Sequence, residues 1–218
     1  MKILAMSDTH GKHAHIPKEW MPPADVLIHA GDISNVGRTV EIIDFLDWFS
    51  KQPYEHKIFI AGNHDWGFQD NHDVITRIVR DYGNIIYLED SEVVIDGVKF
   101  YGTPWQPWFY DWAFNLPRGE KLQAKWNLIP EDTDVLITHG PPRNILDYVA
   151  NGSRTGENVG CANLEDTVLT KLPILKLNIF GHIHYSSGML IKQNKLFVNA
   201  AVLNEQYEIA NKPIILDI

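Results

Sequence analysis

The chain has 218 residues, 44% of them hydrophobic, with one cysteine and a formal charge of −9. A chain of this length buries about 70% of its surface without a disulfide, and Cys161 has no partner for one, which fits a reducing, cytoplasmic compartment. The acidic balance argues against wrapping a long polyanion, and no apolar run of about eighteen residues is available to span a membrane.

Lys2–Met6 reads as a buried strand. Its apolar run stops at Ser7 and Asp8, too early for a signal-peptide core. Residues 25–30 (DVLIHA) read as a second strand. Thr39–Ser50 reads as a helix, with Ile42, Ile43, Leu46 and Phe49 at helical spacing. Residues 57–61 (KIFIA) read as a third strand, and 71–82 as a helix with Val74, Ile75, Ile78 and Val79 on one face. This alternation predicts a parallel sheet covered by helices.

Beyond it, residues 93–95 and 98–101 flank Asp96-Gly97, a type I′ hairpin signal. Residues 134–138, Leu177–Phe180, 189–191 and 196–198 also read as strands, with a second hairpin turn near Asn194. There is no repeat, low-complexity tract or linker. The pattern predicts one domain over residues 1–218, with two packed sheets and flanking helices.

Five of these strands end in a polar cluster. They run into Asp8-Thr9-His10, Gly31-Asp32, Gly62-Asn63-His64-Asp65, His139-Gly140 and Gly181-His182-Ile183-His184. Open α/β sheets place their sites at the carboxyl ends of strands. Five such tips at one sheet edge can converge. Asp8 and His10, like His182 and His184, lie two apart, so an extended backbone would point both side chains of each pair the same way. Asp32 offers two carboxylate oxygens that can bridge two cations, Asn63 a carbonyl oxygen and His139 an imidazole. A nitrogen and oxygen set without thiolate suits Mn, Fe, Zn or Ni rather than a closed structural zinc site.

In this order, Asp-x-His, Gly-Asp, Gly-Asn-His-Asp, His-Gly and Gly-His-x-His resemble the signature of calcineurin-like metallophosphoesterases, from Asp8 to His184. The resemblance implies a four-layer αββα sandwich of two mixed sheets. It implies two divalent metal ions, Mn²⁺ or Fe, or else Zn²⁺ or Ni²⁺. Asp8, His10, Asp32 and His184 would hold one ion. Asp32, Asn63, His139 and His182 would hold the other, with Asp32 bridging. His64 would face the substrate and Asp65 would orient it.

Protein phosphatases of that superfamily carry Gly-Asp-x-x-Asp-Arg-Gly. Here Gly31-Asp32-Ile33-Ser34-Asn35-Val36-Gly37 lacks the second aspartate. His139-Gly140-Pro141-Pro142 and Gly102-Thr103-Pro104-Trp105-Gln106-Pro107 look more like the class III cyclic-nucleotide phosphodiesterase and brain-type metallophosphoesterase branch. The implied activity is hydrolysis of small phosphodiesters, including cyclic nucleotides, by hydroxide held between the ions. Two divalent ions, two carboxylates and a hydroxide leave one positive charge, which a diester anion cancels. A phosphomonoesterase, a nuclease or a non-catalytic scaffold are the alternatives. A scaffold would have no evident reason to keep Asn63 and His64.

The aromatic segment Trp105, Trp108, Phe109, Tyr110, Trp112 and Phe114 reads as loop packing or a dimer contact rather than a substrate wall. Arg143 is a candidate for a phosphate contact or a surface salt bridge, and Asn199 for the pocket border. His29 reads as core. His13, His15, His56 and His72 read as surface residues, and Cys161 shows no reactive context.

Overall fold

The computed structural model describes residues 1–151 and 154–218. The chain begins with β1 (Lys2–Met6), β2 (Val26–His29), α1 (Thr39–Ser50), β3 (His56–Phe59), α2 (Trp66–Asp70), α3 (His72–Asp81) and β4 (Ile86–Tyr87). The hairpin β5 (Ser91–Ile95) and β6 (Val98–Thr103) follows. Next come the short pair β7 (Gln106–Pro107) and β8 (Asn115–Leu116), then α4 (Glu120–Trp126) and β9 (Val135–Thr138). The remainder is β10 (Tyr148–Asn151), β11 (Arg154–Asn158), α5 (Ala162–Asp166), β12 (Leu177–Phe180), β13 (Gly188–Lys192), β14 (Lys195–Asn199) and β15 (Ile214–Asp217).

The first sheet runs β15-β1-β2-β3-β4, with only β15 antiparallel to its neighbour. The second runs β13-β14-β12-β9-β6-β5. Its centre is parallel and an antiparallel hairpin closes each edge. In both hairpins the two turn residues, Asp96-Gly97 and Gln193-Asn194, have positive φ, as a type I′ turn requires.

Side-chain parity sorts the core into layers. On β1, Ile3 and Ala5 point into the seam between the sheets, where they join Ile28, Ile58, Phe100, Val135, Ile137 and Ile179. The alternate residues Leu4 and Met6 face Phe45, Phe49 and Phe68 of the α1–α3 layer. On the far side, Leu136, Phe180 and Phe197 pack under Leu122 and Trp126 of α4 and Leu164 of α5. Strands buried on both faces explain the near-continuous apolar runs of the sequence. The result is the expected four-layer αββα sandwich of two mixed sheets.

Three details depart from expectation. The buried stripe of α1 is Ile42, Phe45, Leu46 and Phe49, while Ile43 is 37% exposed. At about 100° per residue, Phe45 falls nearer the centre of that stripe than Ile43. On α3, Ile75 and Val79 are buried, whereas Val74 is exposed. The five polar tips come from two sheets, not one edge. β1, β2 and β3 belong to the first, and β9 and β12 to the second. A bridge between Ser7 and Ala201 joins the ends of the sheets, so their carboxyl edges meet.

Candidate active site

Where β1 ends, the chain turns rather than continuing extended. Asp8, His10, Asp32 and His182 have φ of 56°, 42°, 56° and 66°. The idea that an extended segment aims Asp8 and His10 the same way is therefore corrected. Asp8 N–H donates to the Gly31 carbonyl, His10 N–H to Asp32 and Gly11 N–H to Ile33, each at 3.0 Å. These bonds zip the first two tips together. Left-handed backbone is uncommon outside glycine, although Asp and His are among the residues that tolerate it, and it gathers where a site over-determines the geometry. Gly62 and Gly181 are needed for space. A Cβ at Gly62 would overlap Asp32 Oδ1 and His139 Cε1, and one at Gly181 would overlap Asp8 Oδ2.

Three groups of side chains bring one ligand atom each within 4.8 Å of the others. They are Asp8, His10 and His184; Asp32, His139 and His182; and His10, Asp32 and His64. Asp32 Oδ2 lies 3.6 Å from His10 Nε2 and 3.3 Å from His139 Nε2. Asn63 Oδ1 lies 2.9 Å from His139 Nε2, which places it beside the second group. All seven residues expected as ligands therefore meet, with Asp32 between the two halves.

The donor set fits divalent transition ions on two further grounds. Both ring nitrogens of His10 are buried without a hydrogen-bond partner, an unfavourable state unless something else takes one of them. His139 Nδ1 and His184 Nδ1 rest on the carbonyls of Ala30 (2.9 Å) and Asn204 (3.0 Å). That is the outer contact that fixes a ligating imidazole and leaves Nε2 aimed inward.

The electrostatics call for positive charge at the same point. Burial opposes ionisation of Asp8 and Asp32, yet His184 beside Asp8 and His139 beside Asp32 hold both carboxyls below the usual range. Burial likewise disfavours the imidazolium forms. The hydrogen bond and charge of Asp8 outweigh it at His184, and the charge of Asp32 outweighs it at His139, so both are pushed up to about 9. Burial lowers His10 to about 4 and His182 to about 3, so both are neutral at pH 7.

His64 lies beside this cluster. Its backbone N–H donates to Asp32 Oδ1 at 2.8 Å, and its Nδ1 sits 2.7 Å from the Asn35 carbonyl. Trp112 stacks on its ring at 4.1 Å. Asp65 does not orient it, which corrects the expected role. The Asp65 carboxylate is fully buried and accepts from Ile33 N–H, Ser34 N–H, Ser34 Oγ–H and Gly62 N–H. No capacity is left for the imidazole. Asp65 ties the Asp32 loop to the Asn63 loop, and Asn35 holds His64. Asp65→Ala would strand several buried donors, and unfolding in denaturant should show a loss of about 3–5 kcal/mol. A loss below about 1 kcal/mol would refute this bracing role.

The cluster opens into a cavity of about 650 Å³. His10, Asp32, Asn63, His64, His182 and His184 line it, together with Trp108, Phe109, Tyr110 and Trp112. The aromatic segment therefore divides. Phe114 is core, and Trp105 is fixed by Asp90 (Nε1 to Oδ2, 2.9 Å) and by Lys125 over its ring. The four others form a wall of the pocket, against the reading of plain loop packing.

Tyr207 and Arg118 are among the pocket residues that escaped the sequence reading. Tyr207, at φ 58°, sets its ring 4.9 Å from His10 and 5.3 Å from His184. Arg118 donates to the Gly160 and Val159 carbonyls at 2.8 and 2.6 Å. Neither lies in a short motif. Arg143 is exposed and does not line the cavity. Asn199 is buried beneath the site, where its Nδ2 donates to the Ile183 carbonyl at 2.8 Å. His29 is core as expected, but His13 is buried and not a surface residue. Its Nε2 sits 3.2 Å from Asp44 Oδ2, and its ring packs on Phe45 and Trp48. Cys161 is free and buried.

Among the described residues, no helix is long and apolar enough to cross a membrane. Metallophosphoesterase domain-containing protein 1 of Homo sapiens is 42% identical over 238 residues, covering 100% of this chain and 71% of that protein. The Mus musculus protein of the same name gives the same values. The fold is similar to the crystal structure of TT1561 of Thermus thermophilus, with a TM-score of 0.64 at 14% identity over 91% of this chain and 88% of that one. The calcineurin-like phosphoesterase profile matches residues 1–186. With five motif-bearing strand tips gathered inside that matched span, the chain belongs to the calcineurin-like phosphoesterase family.

Proposed function

We propose that this metal-dependent phosphoesterase hydrolyses small phosphodiesters at a site for two divalent ions. Asp8, His10, Asp32 and His184 would hold one ion. Asp32, Asn63, His139 and His182 would hold the other. Mn²⁺ or Fe is the favoured occupant, with Zn²⁺ or Ni²⁺ as alternatives. The observation that carries the reading is the position of Asp32, whose Oδ2 faces His10 of one group and His139 of the other. When bound, such ions supply positive charge for the phosphoryl oxygens and lower the pKa of water from about 15.7 toward ~7.

The chain's own side chains do the rest. Asp8 and Asp32 fix the negative charge, so that a diester anion brings the loaded site near neutrality. His139 and His184, pinned at Nδ1, keep Nε2 directed at the reacting centre. His64 is held by Asn35 and Trp112 and faces the pocket, where it delivers a proton to the departing oxygen. The buried, unpaired thiol of Cys161 fits a cytoplasmic setting.

The test is to strip the protein of metal, restore Mn²⁺, Fe²⁺, Zn²⁺ or Ni²⁺ singly, and measure kcat/KM on a substrate panel. Nitrophenyl phosphodiesters and 2′,3′- or 3′,5′-cyclic nucleotides should exceed monoesters and long single strands. Small diesters should show a shallow salt dependence, because they engage few phosphates. Faster cleavage of a long strand, with a steep salt slope, would make the protein a nuclease instead.

A further inference from the structure

The segment between β7 and β8 is built to display aromatic surface. Its base is pinned by Gln106 N–H to the Phe114 carbonyl (3.1 Å) and Trp108 N–H to the Leu116 carbonyl (2.8 Å). Asn115 Nδ2 donates to the carbonyls of Phe109 and Tyr110 at 3.0 and 3.1 Å. Ala113 N–H donates to the Asn63 carbonyl, tying the segment to the β3 tip beside His64. On this rigid base Trp108, Phe109 and Tyr110 stay 59%, 54% and 66% exposed.

Three adjacent large aromatics held in water on a braced loop do nothing for the core. They do face the reacting centre, since Phe109 lies 6.3 Å from the His182 ring and all three line the cavity. Among the described residues, the carboxylates of Asp32, Glu157 and Glu205 line the cavity beside the histidines, and Arg118 spends donors on two backbone carbonyls. The exposed aromatic faces favour a flat group on the substrate.

Resting on the phosphodiesterase reading above, we propose that Trp108, Phe109 and Tyr110 are specificity-determining residues. They stack on a planar aromatic group carried by the ester substituent that stays on phosphorus. The substrate class is a phosphodiester with an aryl or heteroaryl group on that retained side. In the reaction, one water oxygen forms a bond to phosphorus and the bond to the leaving oxygen breaks. One water proton ends on the released alcohol and the other goes to solvent, leaving the monoester of the stacked group.

The experiment uses three diesters with one leaving group, 4-nitrophenolate. They are the methyl, (2-naphthyl)methyl and cyclohexylmethyl 4-nitrophenyl phosphates, assayed on the metal-loaded protein. Stacking of one flat group predicts that kcat/KM for the naphthylmethyl ester exceeds that of the methyl ester by on the order of tenfold to a hundredfold. The cyclohexylmethyl ester, apolar but not flat, should fall well below the naphthylmethyl one. In the Phe109→Ala/Tyr110→Ala variant the naphthylmethyl-to-methyl ratio should drop toward one. A wild-type ratio near one, an unchanged ratio in the variant, or equal rates for the flat and puckered esters would each overturn the wall.

Release of no nitrophenolate from any of the three, with metal bound, would instead overturn the phosphodiesterase reading. The wall then has its own readout. Naphthylmethyl methylphosphonate should quench the Trp108 fluorescence that Trp108→Phe removes, and cyclohexylmethyl methylphosphonate should not. Absence of that difference would overturn the wall independently.

Discussion

Replacing Asp32 with alanine should empty both halves of the site and lower kcat/KM by at least about 10³-fold, more than the loss of one electrostatic contact costs. The carboxylate has two tasks. Oδ2 faces His10 and His139, and Oδ1 accepts the His64 backbone N–H at 2.8 Å. Alanine removes both, and part of the loss would come from the displaced β3 tip. Asp32→Asn separates the two tasks, because its side-chain oxygen can still accept from His64 while the negative charge facing His10 and His139 is gone. Both variants should lose metal in elemental analysis, whereas His10→Ala should chiefly weaken one ion. Wild-type metal content in Asp32→Asn would disprove the shared-ligand reading.

His64→Gln should leave metal content unchanged and lower the rate on alkyl diesters by ~10²–10⁴, the usual contribution of a single acid. Nitrophenolate leaves without a proton, so nitrophenyl esters should lose much less. The structure sharpens this test, because His64 also comes within 4.8 Å of His10 and Asp32. If His64 served as a ligand, its replacement would reduce metal content and slow every ester alike. Equal losses on both ester types with full metal content would assign His64 to charge stabilisation.

The ligand candidates were legible because each is a side chain placed just after an apolar strand, a pattern that survives in the bare sequence. His139 and His182 are examples, since 135–138 and 177–180 are buried throughout. What the sequence hid is mostly backbone. The carbonyls of Ala30, Asn35 and Asn204 hold three imidazoles, and every residue has a carbonyl, so nothing marks these three. The left-handed turns at Asp8 and His182 were hidden for the same reason, and so the pairs seemed extended. Asp65 misled because sequence adjacency to His64 suggested a contact. In the folded chain three of its four donors come from Ile33 and Ser34 of the Asp32 loop and the fourth from Gly62. Tyr207 was out of reach, because only the Leu203–Ile209 bridge and the loop it closes carry the ring to His10.

The meeting of two sheets at one edge also sets an order of assembly. Asp8, Asp32 and Asn63 leave the ribosome early, while His139, His182 and His184 come late. Asp8 must wait for His182, whose N–H it accepts across 174 positions. At about 5–20 residues per second, the interval between Asn63 and His184 is roughly 6–24 s. During that time Asp8, His10, Asp32 and Asn63 lack the imidazoles of His182 and His184. The full donor set thus exists only once translation has passed the last histidine pair and the seam between the sheets has closed.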